Sequence, residues 1–416
     1  MDLTNLSFLI IGQAKTARTE TLEDYLKKRA KYLAVISLSG PYAKTNESRC
    51  TLYHNGNKIK EFSLFSFRIK KINRWKFPLI TVTFSLYIIA ILYAVLRLRK
   101  RFDIATTVAT SSTLIGLILL RPLGIVKRVV FYCIDYYPPG VNYLGDFFGF
   151  QRLFYLLYKQ VDLYSVKQAD AVWEISPRIK EGRASYAGLD ASSYDTIIAP
   201  LGFSEEFCSK CQSNNKSIIE REQWTLGFIG VLSPWQGLTL VIDAMHQLCK
   251  KFPDIKVRII GDGPFSTDLK KLVKQKGLEQ QFIFHGYIKN EEEVFDILSR
   301  CVIGLATWTG DQTDYSRYAD PGKPKLYTLL GLPVVITSVP YISKSIAETG
   351  AGEVVEYDII QFLSAVEKII SSNESLQKYL AGVERFKPYC YSTNIFDRAF
   401  LDTFEYWNKK EYEKNC

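Results

Sequence analysis

The sequence predicts a mixed α/β protein made of two doubly wound domains facing a cleft. Three observations carry that expectation. Apolar strand-like runs alternate with amphipathic helical stretches along the chain, the mark of largely parallel sheets. At 416 residues the chain exceeds what a single ordinary core takes. Charge is also uneven: residues 1–222 hold 31 Lys and Arg against 19 Asp and Glu, so they carry more than the whole net charge of +10. Apolar residues make up 47% and charged residues 23%, which permits large cores and excludes a disordered chain.

The first half opens with an apolar strand over 6–11 that closes at Gly12, then a polar loop over 13–19 and a charged helix over about 21–31. A second strand covers 32–38. Asn55-Gly56-Asn57 reads as the tight turn of a hairpin. A long apolar helix, a strand over 103–108, a small-residue helix over 112–120 and a strand over 128–134 follow, the last ending in Asp135-Tyr136-Tyr137-Pro138-Pro139. In the second half, strands over 225–232, 256–260, 281–285, 301–306 and 333–338 alternate with helices near 237–251, 266–276, 290–299, 323–330 and 341–348. A short strand over 352–357 precedes the C-terminal helices. This spacing fits right-handed βαβ units, hence two Rossmann-like domains. The polar stretch 211–217 places the boundaries: a first domain over 1–205, a linker over 206–222, a second domain over 223–390, and a tail over 391–416 whose helix is expected to return to the first domain.

Phe77 to Leu96 is a run of twenty residues without a charge, long enough to span a bilayer. Spanning is disfavoured because strand-like runs on both sides would belong to one sheet. Cations also flank both ends, Lys70, Lys71, Arg74 and Lys76 before it and Arg97, Arg99, Lys100 and Arg101 after it, whereas a spanning segment carries its excess on one side. Two readings stay open: a helix lying in the interface of an anionic cytoplasmic membrane surface, or a buried core helix with solvated charges at its ends. Nucleic acid is not expected as a partner, since no recognition helix, RNP-like strand or zinc finger accompanies the charge. Eight cysteines are too dilute for a disulfide scaffold. Cys208 and Cys211 lack the second pair or nearby histidine that a zinc site needs and read as reduced thiols. Three histidines, His54, His246 and His285, exclude a His-rich metal site. No secretory pattern opens the sequence, so a cytoplasmic location is expected.

Ligands of doubly wound sheets bind beyond the carboxyl ends of the strands. Three loops of the second domain stand there. Residues 230–237, Gly-Val-Leu-Ser-Pro-Trp-Gln-Gly, carry glycines that let backbone approach an anion, with Ser233 and Gln236 between them. Gly261-Asp262-Gly263-Pro264 is a shorter version of a dinucleotide loop. Asp320-Pro321-Gly322-Lys323-Pro324-Lys325 puts two lysines near a helix start, where a pyrophosphate would lie. His285 reads as the structural end of a buried strand, and Tyr287 follows it.

Several stretches together carry a family likeness. IIGDGPFSTDLKKLVKQKGLEQQFIFHGYI (259–288), KPKLYTLLGLPVVIT (323–337), ETGAGEVVEYD (348–358), IIAPLGFSEEF (197–207) and ADAVWEISPRIKEGR (169–183) resemble segments of the nucleotide-sugar glycosyltransferases of the GT-B fold, family 4 or group 1. The resemblance covers roughly 197–400 and is only compatible over 1–130. It implies transfer of a sugar from a nucleotide-sugar donor to a lipid-linked or polysaccharide acceptor, with retention and without metal or other cofactor; the apolar run and its flanking cations add the expectation of a peripheral place on the inner face of the cell membrane. It implies a donor site of Gly230, Ser233, Gln236, Gly237, Gly261, Gly263, Tyr287, Asp320, Lys323 and Lys325. Asp135 takes the place of the family's His-Asp carboxylate as catalytic base or orienting acceptor, Gly12 lines the acceptor side, and Arg183 and Asn142 are weaker candidates nearby. The chain departs from the family at four positions. Val231 and Gln236 stand where the family has a phosphate-binding arginine and lysine, and Tyr318 and Leu326 stand where it has paired glutamates. These departures mark a divergent branch and support an alternative, a weak or inactive subunit acting as a partner or scaffold. An epimerase of similar architecture lacks its acidic set here.

Overall fold

The computed structural model describes residues 2–13, 17–39, 48–65, 77–139, 150–311 and 315–415. They form two units, Met1–Pro200 with Ser392–Cys416, and Leu201–Tyr391.

The first unit is built on an eight-stranded sheet ordered β4-β3-β2-β1-β5-β6-β7-β8. Its strands are β1 (Ser7–Gln13), β2 (Tyr32–Leu38), β3 (Arg49–His54), β4 (Asn57–Ser63), β5 (Phe102–Thr107), β6 (Val126–Cys133), β7 (Ala171–Glu174) and β8 (Ile197–Ile198). Only β3 pairs antiparallel, with β2 and β4. Asn55 and Gly56 both take positive φ, 46° and 82°, the twist that a two-residue hairpin requires. Between the strands run helices α1 (Ala17–Lys27), α2 (Phe77–Leu98), α3 (Thr110–Ile115), α4 (Phe150–Gln168) and α5 (Arg178–Gly182). The C-terminal helix, Ser392–Asn415, packs Phe400 on Tyr25, Phe8 and Trp173, and its Thr403 accepts the Trp173 indole N–H at 2.8 Å.

The C-terminal half of helix α2 has one buried face and one exposed face. Ala90, Ile91, Ala94, Val95 and Leu98 are buried in one core with Leu9, Ile36 and Ala105 of the sheet. Ile89, Tyr93 and Leu96, spaced four and three apart, turn outward. No helix among the described residues is long and apolar enough to cross a membrane. Lys70, Lys71, Arg74 and Lys76 lie outside the described residues.

Arg183, a weaker candidate for the ligand side, is wholly buried instead. Its guanidinium grips Asp162 of α4 through Nε at 2.6 Å and Nη2 at 3.0 Å, and also pairs with Glu174 at the end of β7. Tyr194 donates to the same Glu174 at 3.0 Å. Burial raises the Glu174 carboxyl above its ordinary pKa, with Arg183 pulling the other way.

The second unit holds a six-stranded parallel sheet ordered β11-β10-β9-β12-β13-β14. Its strands are β9 (Thr225–Ile229), β10 (Lys256–Ile260), β11 (Phe282–Gly286), β12 (Ile303–Ala306), β13 (Val334–Thr337) and β14 (Gly352–Val355). Its helices are α6 (Glu205–Ser213), α7 (Leu238–Lys251), α8 (Ser266–Gln275), α9 (Glu291–Ser299), α10 (Gly322–Leu329), α11 (Ile342–Thr349), α12 (Ile359–Ile370) and α13 (Asn373–Phe386). The expected linker over 206–222 is not a free connection. Ser204 caps α6, and Cys208 and Cys211 on its inner face are buried in the core of this unit. Arg221 donates to the Gly331 carbonyl at 3.0 Å and ties down the segment after it.

Deleting one member of a buried charged cluster leaves the others unpaired. Arg183→Met is therefore expected to lower the unfolding free energy of the chain by about 3–5 kcal/mol, read as a lower urea midpoint for the first unit.

Candidate functional site

Strand order in the second sheet reverses between β9 and β12. The chain moves outward from β9 to β11, then returns to the other side of β9 with β12. The loops after β9 and β12 therefore diverge and leave a crevice at their carboxyl ends. The candidate site lies here.

Its frame is backbone packed on backbone. Gly261 has φ 131°, and a Cβ there would stand 1.9 Å from the Gly230 carbonyl oxygen. Gly237 has φ 71°, and a Cβ would stand 1.5 Å from the Thr307 carbonyl oxygen. Neither position has room for a side chain, which is why both loops need glycine. Hydrogen bonds lace the loops together. Gly230 N–H donates to Ile260 O at 3.0 Å, Leu232 N–H to Asp262 O at 3.0 Å, Gly261 N–H to Gly286 O at 2.7 Å, and Thr309 N–H to Trp235 O at 3.1 Å. Gly263 closes the turn against Leu232.

Among the described residues, Lys323 is the cation that faces this frame. Lys323, at the start of α10, sends its ammonium over the Phe228 ring at 4.3 Å and the Trp308 ring at 4.5 Å. The same Nζ donates to the Gln236 side-chain carbonyl. It borders Gly230, where a Cβ would be 3.6 Å away. Ser233 is 2% exposed, and its hydroxyl finds no hydrogen-bond partner among the described residues. The N-cap of α10 is Pro321, whose side chain offers the first turn no hydrogen bond. A spare buried hydroxyl and an ammonium at a helix start make an arrangement suited to a phosphate-type anion.

Lys325 and Asp320 are corrections. Lys325 is 2% exposed, and its Nζ donates to Asp320 Oδ2 at 2.5 Å and to the Leu201 carbonyl. Asp320 also accepts from Leu201 N–H at 2.6 Å. The pair is spent on holding chain segment 201 to α10, with no charge left for a ligand. Residues two apart on a helix point to nearly opposite sides, so Lys323 and Lys325 cannot share one anion.

The remaining candidates divide by unit. Gly230, Ser233, Gln236, Gly237, Gly261, Gly263 and Lys323 gather at one edge of the second sheet. Tyr287, 77% exposed, follows Gly286 at the end of β11. His285 is bound into the sheet, its Nε2 3.2 Å from Arg258 Nη1. Burial, with the Arg258 charge, holds its pKa below the ordinary value. In the first unit, Asp135 is exposed just beyond β6, and its backbone carbonyl accepts from Cys133 Sγ at 3.5 Å. Gly12 pairs with Ser37 inside β1, and Asn142 lies outside the described residues. Sequence reasoning missed Phe228 and Trp308, the aromatic seat of Lys323. The signal available was an aromatic residue near the carboxyl end of each of two predicted neighbouring strands.

Residues 210–307, which include the loops after β9, β10 and β11, match the family model of glycosyl transferases group 1. Sucrose-phosphate synthase from Thermosynechococcus elongatus shares the architecture, with a TM-score of 0.68 over 98% of this chain and 100% of that one at 13% identity. This chain has the GT-B fold. Anabaena HepE in complex with UDP is also similar, with a TM-score of 0.62 over 96% of this chain and 100% of that one at 15% identity. Among sequences, alpha-D-kanosaminyltransferase of Streptomyces kanamyceticus is 23% identical over 146 residues, 34% of this chain and 38% of its own length. The chain matches well under half the length of the curated relatives. Within this GT-B chain the altered family positions have distinct fates. Tyr318 and Leu326 are buried, and Val231 is exposed. Gln236 receives the Lys323 ammonium at the very place where the resemblance puts a lysine.

The two lysines separate in a stability measurement. Lys325→Ala leaves Asp320 buried and unpaired and is expected to cost about 3–5 kcal/mol in urea unfolding. Lys323→Ala loses a half-buried contact with two rings and is expected to cost about 1 kcal/mol.

Proposed function

We propose that this GT-B chain transfers a sugar from a nucleotide-sugar donor to a lipid-linked or polysaccharide acceptor, with retention and without metal or other cofactor, as a peripheral protein on the cytoplasmic membrane face. One observation carries the donor half. The Lys323 ammonium reaches Gln236 beside Gly230, restoring positive charge where the family lysine is missing. The UDP held by Anabaena HepE supports a nucleoside diphosphate as the leaving group.

In the transfer, the bond between the anomeric carbon and the diphosphate oxygen breaks, and its electron pair stays on the phosphate. Lys323, the Ser233 hydroxyl and the amino end of α10 stabilise that growing charge, the kind of fixed electrostatic support that lowers such barriers most. The acceptor oxygen bonds to the anomeric carbon from the side the phosphate leaves, and its proton passes to the departing phosphate oxygen. Asp135 accepts a hydrogen bond from a neighbouring hydroxyl of the acceptor and orients it, leaving the reacting hydroxyl's proton to the phosphate. Lipid linkage is supported by α4, the helix that follows Asp135 in sequence, whose Leu153, Leu156, Leu157 and Tyr164 are exposed along one stripe.

The altered positions Val231, Gln236, Tyr318 and Leu326 favour a second reading, a scaffold subunit that binds no donor. Thermal melting with UDP, ADP and GDP separates the two, since a ligand of the native state raises the melting temperature. The transferase reading expects one diphosphate to stabilise the chain and Lys323→Ala to weaken it about 10- to 100-fold. Indifference to every diphosphate would favour the scaffold. Asp135→Asn is expected to lower kcat by about 10²-fold while nucleotide stabilisation stays as in the wild type. Unchanged turnover would remove Asp135 from the chemistry.

A further inference from the structure

We infer that the first unit docks on an anionic lipid bilayer through one defined surface, the outer face of the C-terminal half of α2 and the basic recess beside it. This deepens, and rests on, the membrane placement proposed above. Ile89, Tyr93 and Leu96 project from α2 away from the sheet, with Leu96 69% exposed. The exposed Phe65 ring lies against Tyr93, centroids 5.7 Å apart, and extends the apolar patch past the helix. Next to this patch opens a recess of about 500 Å³ lined by Lys60, Tyr93, Leu96, Arg97 and Arg99.

The cations of the recess are held in place without being neutralised. Lys60 Nζ donates to the Arg97 carbonyl at 2.7 Å. Arg97 Nη1 donates to the Tyr93 hydroxyl at 2.6 Å, and its guanidinium lies over the Phe62 ring at 4.4 Å. Among the described residues, no carboxylate stands within ion-pair distance of Lys60, Arg97 or Arg99. Arg99 has φ 51°, the left-handed helix end where glycine or asparagine is ordinary.

Attraction to the helix dipole explains cations in the last turn of α2. It does not explain large apolar side chains exposed beside them. A free phosphate would use the cations and leave Ile89, Leu96 and Phe65 without a role. A bilayer uses both, taking apolar side chains at the acyl boundary and cations at the phosphates. The recess precedes β5, at the amino edge of the parallel strands, whereas Asp135 follows the carboxyl edge of β6. Changes here therefore spare the proposed transfer chemistry.

The test is sedimentation of the full chain with phosphatidylcholine vesicles, with and without phosphatidylglycerol, alongside thermal melting with UDP. The wild type is expected to bind the anionic vesicles preferentially. Lys60→Gln, Arg97→Gln and Arg99→Gln together are expected to weaken that binding about 100-fold, at about fivefold per cation near an anionic surface. Ile89→Ser with Leu96→Ser, both exposed and so compatible with folding, is expected to weaken it about tenfold or more. Wild-type binding that neither variant alters would overturn this surface and leave membrane placement standing. A wild type that ignores both vesicle types would overturn both. Loss of binding in the variants by a chain that UDP fails to stabilise would uphold the docking surface and remove the donor reading instead.

Discussion

The Lys323 ammonium is the group around which the second unit's ligand edge is organised. It is seated by the Phe228 and Trp308 rings and by Gln236, three residues from β9, the β12 loop and the β9 loop. A cation over aromatic faces keeps its charge while losing part of its hydration. The seat depends on the strand reversal at β9 and β12, because there the loops from adjacent strands part and leave a crevice.

Glycine keeps the seat rigid. At Gly261 and Gly237 the neighbouring carbonyls approach so closely that any side chain would force the β9 loop away from its partners. The loops at residues 230–232 and 261–263 are thus held by their own packing and hydrogen bonds, before any ligand arrives. A frame fixed in advance avoids the cost of reorientation during reaction, which is where electrostatic catalysis gains most.

Much of this was legible in the sequence. The strands of the second unit and most of its helices follow from apolar runs and 3.6-residue periodicity, and the Asn55-Gly56 turn from its residue types. What was not legible turned on faces and partners. Lys323 and Lys325 look alike in one dimension, yet α10 sends one into the crevice and the other into a buried pair with Asp320. The helical repeat held that information, but the burial of Lys325 depended on Leu201, far away in sequence. Cys208 and Cys211 were read as thiols in a polar linker. Spaced three apart, they are the apolar face of α6, which buried cysteine serves as a small hydrophobe. Arg183 was misplaced for a related reason, since its partners Asp162 and Glu174 come from two other elements.

The positive charge of the first half also reads differently once partners are known. Several cations there are matched: Arg121 with Asp170, Lys127 with Asp103, Arg128 with Glu411, and Arg183 with Asp162 and Glu174. Net charge alone could not say which members of the basic set remain unmatched. The structure shows Lys60, Arg97 and Arg99 among them, side by side at the end of α2 and next to its exposed apolar face. An excess spread evenly over a surface mainly favours solubility. Gathered beside exposed leucine, isoleucine and phenylalanine, it creates a surface whose two halves suit the two layers of a lipid interface. Helix α2 can bury one face in the sheet and offer the other outward because its apolar run goes all the way round. That same feature made the segment look like a membrane span in the sequence.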